Sequence, residues 1–260
     1  AFSQAEINEL YNDGKALDAT THSQVANLKG YWRNDGLNTT WKNIHNPGTH
    51  DATFVNGLET LLLPAGVDAT RDNQGFLMNR QKDTSSLNLS NFDDYVTLGN
   101  NSDFNFGETT DFTVSFWAKY TGDGYMGLVS KGVGNVSGGW EVVISQNDGK
   151  VYARIEDTDG SPSVSQASGS EYNDGDWHHI AVVYDRSASV TIYVDTTADG
   201  STPITGIGDC DATHTLDIGR QTQGGNYFDG EIDNVLIYNK ALSEPEVTRN
   251  YNAGKGSHRN

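Results

Sequence analysis

Alternation of apolar and polar positions is clearest in Phe112-Thr-Val-Ser-Phe-Trp-Ala-Lys-Tyr120. There Phe112, Val114, Phe116, Ala118 and Tyr120 share one face while Thr113, Ser115 and Lys119 share the other, the period of a half-buried strand. Similar runs occupy Trp140–Ser145, Val151–Glu156, Trp177–Tyr184, Val190–Asp195, Leu216–Gly219 and Glu231–Tyr238. Turn residues separate them, such as Asn147-Asp148-Gly149 and Ala198-Asp199-Gly200. Short strands at regular spacing, without a βαβ rhythm, predict an all-β sandwich or barrel. Glu231-Ile232-Asp233-Asn234-Val235 breaks parity, because Ile232 and then Val235 and Ile237 look core-facing, and this requires a bulge near Asp233-Asn234.

The two ends carry a helical pattern instead. Residues 1–15, AFSQAEINELYNDGK, repeat in residues 241–255, ALSEPEVTRNYNAGK, with Ala, Ser, Glu, Tyr, Asn, Gly and Lys identical. Each copy predicts a short helix with Ser3 or Ser243 as N-cap and Glu6 or Glu246 completing a capping box. Gly14 and Gly254 stand where a left-handed stop belongs. The expected organisation is therefore a helical tail of a preceding homologous module (1–15), a linker (16–26), the main domain (27–255) and the start of a following linker or tail (256–260).

Composition narrows the partners. Lys+Arg 17 against Asp+Glu 35 gives a net charge of -18, a surface that repels phosphate backbones, so nucleic acid is excluded as a partner. No apolar run approaches the ~20 residues of a membrane-crossing helix, so membrane insertion is not expected. The one cysteine, Cys210, leaves no internal disulfide, and Gly208-Asp-Cys-Asp211 offers no base at a catalytic spacing, so an inert buried thiol is expected.

Tyr95-Val-Thr-Leu98, Phe112–Trp117, Asp176-Trp-His-His-Ile-Ala-Val-Val-Tyr184, Val190–Asp195, Leu216-Asp-Ile-Gly219 and Phe228-Asp-Gly-Glu-Ile-Asp-Asn-Val-Leu-Ile-Tyr238 follow one another in order. Together they resemble the laminin-G-like/pentraxin branch of the concanavalin A-like lectin and glucanase superfamily over about residues 27–255. The resemblance implies a jelly-roll sandwich of two antiparallel sheets, here with a short capped helix near each end. Sugar binders, adhesion modules, structural spacers and hydrolases all use such a fold, so function must be argued from sites.

Glu231-Ile-Asp233 matches the start of the glucanase acid string, which implies a further acid at position 235, or at 236 if the strand is bulged. Those positions hold Val235 and Leu236. Retaining hydrolysis requires two carboxyls roughly 5 to 5.5 Å apart, so the sequence argues against an enzyme and assigns no catalytic residue. The adjacent His178 and His179 fall on opposite strand faces and cannot share one ion, so they are expected to be structural.

The resemblance also implies a calcium ion where Asp233 meets the early part of the domain, with Asp35 or Asp51 as partners. Ca²⁺ takes about six to eight oxygens; Trp32 and Trp41 flanking Asn34-Asp-Gly36 depart from the family's usual opening. For a sugar, an exposed aromatic face flanked by orienting polar groups is required. The loops Tyr120–Tyr125, Glu156–Pro162 and Gln221–Tyr227 offer it, making Tyr227, Asn226, Gln223, Tyr125 and Asp157 the candidate contacts. The expected function is a non-catalytic glycan-binding or adhesion module of a tandem-repeat surface or virion-fibre protein. A structural spacer or decoration domain contacting neighbouring protein subunits in a large extracellular or viral assembly is the alternative.

Overall fold

The computed structural model describes residues 28–32, 40–41, 52–55, 59–60, 87–89, 94–134, 138–145, 148–222 and 225–258. The strands are β1 (Leu28–Trp32), β2 (Thr40–Trp41), β3 (Ala52–Val55), β4 (Glu59–Thr60), β5 (Leu87–Asn88), β6 (Tyr95–Thr97), β7 (Phe112–Tyr120), β8 (Met126–Gly132), β9 (Gly139–Ser145), β10 (Lys150–Glu156), β11 (Ser163–Ala167), β12 (His178–Tyr184), β13 (Ser189–Val194), β14 (Thr197–Pro203), β15 (Asp217–Ile218) and β16 (Gly230–Tyr238). One helix follows, α1 (Glu244–Gly254). The helix and linker expected over 1–26 lie outside the described residues.

Two antiparallel sheets form a sandwich. The first runs β14-β13-β12-β7-β16-β5-β4, with β1 also paired to β16; the second runs β11-β10-β9-β8-β15-β6-β3-β2. Inward residues of β7 (Phe112, Val114, Phe116, Ala118), β12 (Ile180, Val182, Tyr184) and β16 (Ile232, Val235, Ile237) join Trp140, Val142 and Ile144 of β9 and Val151, Ala153 and Ile155 of β10 in one buried core. Phe112 is its aromatic hinge, stacked at 4.2 Å on both Phe106 and Tyr184 and 5.6 Å from Trp140. Each such buried side chain contributes about 1.5–3 kcal/mol relative to exposure.

The alternation in β7 understates its burial. Thr113, Ser115 and Trp117, on the supposedly open face, are buried as well, because α1 and the residues after it cover the outer face of the first sheet. Leu242 and Val247 close a second apolar cluster with Ala181, Val183, Leu236 and Tyr238. Thr113 Oγ1 donates to Lys240 O and accepts from Leu242 N–H, and Ser115 Oγ meets His179 Nε2 at 2.9 Å. Polar β7 positions thus anchor the covering segment. The helix begins as the capping box requires, with the Glu246 carboxylate accepting from both Ser243 N–H and Oγ–H at 2.9 Å.

Gly254 is not the left-handed stop expected. The helix runs through it, and Lys255 continues in right-handed geometry. Its role is close approach: a Cβ there would stand 2.1 Å from Trp117 Nε1. Beyond it, His258 folds back, stacked on Trp117 at 4.5 Å, with Nδ1 at 2.9 Å from Gly254 O and Nε2 at 2.9 Å from Asp233 Oδ2.

The expected bulge is present, as a register shift between Asp233 and Leu236 with Asn234 at φ 49°. Asp233 Oδ1 accepts the Asn234 N–H at 2.7 Å, holding the bulge. Ala198-Asp199-Gly200, expected as a turn, lies instead inside β14. The β13–β14 turn is made by Asp195 and Thr196 at φ 47° and 80°, without the glycine that marks such turns. Pairing shifts from Ile192↔Gly200 to Tyr193↔Ala198, leaving Asp199 as the bulged residue. Asp199 O accepts from Gly169 N–H, and its carboxylate accepts from Ser170 N–H and Tyr172 O–H at 3.0 and 2.7 Å, which ties the β14 side of the first sheet to the segment following β11 of the second.

Two stability predictions follow from the covered face. Gly254→Ala is expected to lose about 1–3 kcal/mol in denaturant unfolding through overpacking against Trp117, whereas Gly256→Ala, with nothing within 4 Å of its added Cβ, is expected to be near neutral. His258→Ala leaves the buried Asp233 Oδ2 without that donor and is expected to cost about 1–3 kcal/mol, read in the same assay with tryptophan fluorescence reporting the Trp117 environment.

Candidate functional site

Trp140-Glu-Val-Val-Ile-Ser145 carries one carboxylate in a strand otherwise apolar up to its terminal serine. Alternation turns Glu141 away from the core, onto the outer face of the second sheet, where its side chain is nonetheless 0% exposed. A carboxylate so enclosed needs donors, and it gathers them from three elements. Gln221 Nε2 donates to Oε2 at 2.9 Å, Arg154 Nη1 of β10 to Oε1 at 3.2 Å, and the Tyr125 hydroxyl to Oε1 at 3.4 Å. Burial raises the Glu141 pKa, against the lowering effect of Gln221, Arg154 and Tyr125.

The segment after β15 lies across this face. Thr222 N–H donates to Ser130 Oγ at 2.8 Å, and Ser130 Oγ–H donates to Arg220 O at 2.8 Å. Asn226 O accepts from Gly127 N–H and Gln221 N–H at 3.0 and 3.1 Å, and Asn226 Nδ2 donates to Gln221 Oε1 at 2.6 Å. The approach is tight enough that a Cβ on Gly127 would come within 2.0 Å of Gln221 N. Arg154 is held along its length: Nη1 also donates to the Tyr125 hydroxyl, Nη2 to Ser145 Oγ and Nε to Ser165 Oγ, each at 3.3 Å for the serines, and the guanidinium lies 5.2 Å from the Tyr125 ring centroid. A parallel arrangement stands on the other side of the loop. The Arg220 guanidinium lies 3.7 Å from the Tyr95 ring centroid and pairs with buried Asp217, while Tyr227 sits 6.1 Å from Tyr95.

Of the expected sugar contacts, Tyr125 and Asn226 are brought together through Gln221, and Tyr227 stands on the same loop, bridged to Arg220. Gln223 lies outside the described residues. Asp157 is held in its own turn, accepting the Asp159 N–H at 3.0 Å, and none of its hydrogen bonds reaches this cluster. Glu141, Arg154 and Gln221 were not among the expected residues; the signal for the first was the solitary charge in an apolar strand.

The outer face of the first sheet holds the other candidates. Glu231 meets Lys119 at 3.6 Å. Two residues on, Asp233 is buried against His258, and after the bulge the next outward position is Leu236, packed beneath α1. Of the residues expected around calcium, Asp233 meets His258 Nε2 through Oδ2 at 2.9 Å and the Asn234 N–H through Oδ1 at 2.7 Å; Asp35 and Asp51 lie outside the described residues. His178 and His179 diverge as expected. Burial works against charge on His178, yet contacts at 2.7 Å to Asp195 and 3.2 Å to Asp174 outweigh it and raise its pKa. His179, wholly enclosed, is pushed down to about 3 by burial and remains neutral. Burial likewise pushes the Cys210 thiol up to about 11, beside Arg186 Nη1 at 2.9 Å.

Comparison with known proteins agrees with this architecture. A laminin-G-type sequence profile described as concanavalin A-like lectin/glucanases superfamily matches residues 89–248. A curated relative, the non-toxic nonhemagglutinin type D of Clostridium botulinum D phage, is 25% identical over 169 residues, 64% of this chain and 13% of the relative. Among solved structures, the binding domain of Paraclostridial Mosquitocidal Protein 1 superposes with a TM-score of 0.67 at 18% identity, covering 88% of this chain and 52% of that one. The botulinum neurotoxin serotype D ligand binding domain in complex with N-acetylneuraminic acid gives 0.63 at 14% identity, covering 90% and 52%. The chain thus spans about half the length of these structures and a small part of the curated relative. With the profile covering more than half of its residues and the two-sheet sandwich to match, the chain belongs to the concanavalin A-like lectin/glucanases superfamily.

Proposed function

We propose that the chain is a non-catalytic glycan-binding module whose binding face is the outer side of the second sheet, around the loop from Arg220 to Tyr227. The observation that carries this reading is the enclosed Glu141, which holds Tyr125, Arg154, Gln221 and the Asn226 loop in one fixed arrangement. Half-buried Tyr95, Tyr125 and Tyr227 supply ring surface beside it, the mixture of flat apolar area and fixed polar groups that pyranose recognition uses. Structural neighbours solved in complex with sugars, N-acetylneuraminic acid in one and SialylT in another, support the class of ligand. The absence of catalysis rests on Leu236, which fills the outward position after Asp233 and lies beneath the helix.

We place the module outside the cell or on a virion or cell surface, in keeping with its toxin and phage relatives. Among the described residues no helix is long and apolar enough to cross a membrane. The repeat of 241–255 in 1–15 supports a tandem array, in which weak single sites gain from linkage. A second reading, a spacer contacting neighbouring subunits through the same face, is favoured by one observation: the Tyr125 hydroxyl and Asn226 Nδ2 are already engaged by protein partners.

A glycan array probed with the chain and with Tyr227→Ala and Tyr125→Ala tests the choice. Loss of about tenfold or more in apparent affinity for each variant, with Asp157→Ala unchanged, is the expected result. Silence of the unmodified chain across the array, in the presence and absence of Ca²⁺, would move the assignment to the spacer.

A further inference from the structure

Arg154 has five N–H groups, and four of them meet protein oxygens: Glu141 Oε1 and the Tyr125 hydroxyl from Nη1, Ser145 Oγ from Nη2 and Ser165 Oγ from Nε. The fifth, on Nη2, has no acceptor among the described residues. The side chain is 18% exposed, while the carboxylate beneath it is 0% exposed. A guanidinium held by four hydrogen bonds and set over the Tyr125 ring, with one N–H left over on a side chain that solvent partly reaches, can offer that donor to one oxygen of an anion. Its charge is balanced from below by a group that solvent does not reach.

We infer that Glu141 is a proton-operated charge switch beneath Arg154, and that this face takes a carboxylate-bearing sugar in preference to a neutral one when Glu141 is protonated. The inference rests on the proposed glycan-binding reading and extends it to ligand charge and to regulation.

With Glu141 ionised, the pair is neutral overall and a sugar carboxylate approaching Nη2 also feels the anion below. With Glu141 protonated, Arg154 is left with an uncompensated positive charge at the surface, and the same carboxylate completes an ion pair. Proton uptake and anion binding therefore favour one another, as linkage requires. Among the described residues, the groups facing Glu141 are few. Arg154 is the charged one; Tyr125 and Tyr184 are both held neutral, burial being the main cause that raises their pKa values; Gln221 does not titrate. Glu156, two residues along β10 from Arg154, also has a pKa raised mainly by burial and is the control. Burial holds the Glu141 carboxyl above the ordinary carboxylate range, so on acidification it takes up its proton before the carboxylate of a sialic or uronic acid does.

The experiment measures binding to the full chain of N-acetylneuraminic acid, its methyl ester and acetate by NMR at about pH 7.5 and about pH 5.5, following the Arg154 side-chain resonances. One coupled proton can change affinity by up to about tenfold per pH unit. The acid sugar and acetate are expected to bind several-fold to about tenfold tighter at the lower pH, with the ester insensitive to pH. Glu141→Gln is expected to bind both anions at the low-pH level at either pH, Glu156→Gln to keep the wild-type pH response, and Arg154→Gln to abolish it. Acetate responding in this way while no sugar binds would uphold the switch and overturn the glycan assignment. A sugar bound equally at both pH values, or a pH response that survives in Glu141→Gln, would overturn the switch and leave the glycan assignment standing.

Discussion

A carboxylate removed from water must be met by donors, and in this fold that requirement decides where the loops go. Glu141 is outward by strand alternation yet fully enclosed, so something must cover it and something must neutralise it. Arg154 arrives from the neighbouring strand in register, since Glu141 and Arg154 are directly paired across β9 and β10. Gln221 arrives from the far side of the sheet, carried by a segment that leaves β15. One buried charge thereby converts a polar sheet face into an arrangement with fixed geometry, and Tyr125 and Asn226 inherit their positions from it.

The two outer faces have opposite fates for reasons visible in composition. β7 and β16 present Trp117, Leu236 and Tyr238 outward, area that water would not tolerate, and α1 lies over it. The outward residues of β10 are Lys150, Tyr152, Arg154 and Glu156, which remain partly exposed. Among the described residues, the first face is closed by α1 and His258, and the second is crossed by the segment after β15.

Strand existence and the sandwich class were legible because period-two alternation is written into β7, β10 and β13, and short apolar runs bounded by turn residues mark β12 and β16. The bulge at Asp233 was legible from parity, and the α1 cap from Ser243 and Glu246. What escaped did so for physical causes. The β13–β14 turn uses Asp195 and Thr196 at positive φ without glycine, so Asp199-Gly200 was mistaken for it. Gly254 reads as a helix stop, whereas its reason is a tryptophan 137 positions earlier in the chain, at Trp117. The candidate site was half legible: loop chemistry pointed to Tyr125, Asn226 and Tyr227, but the pairing of Gln221 with Glu141 is a long-range contact that no local pattern encodes.

The bulge at Asp199 has a bearing on how this protein behaves in company. A sheet margin with free N–H and C=O groups invites another chain to add a strand. Here the margin strand β14 is kinked, clad in polar side chains and laced through Asp199 to the segment after β11 of the opposite layer. Crowded copies, whether in an array or in concentrated solution, are thus denied a template for stacking edge to edge along that side, and their negative charge keeps them apart elsewhere.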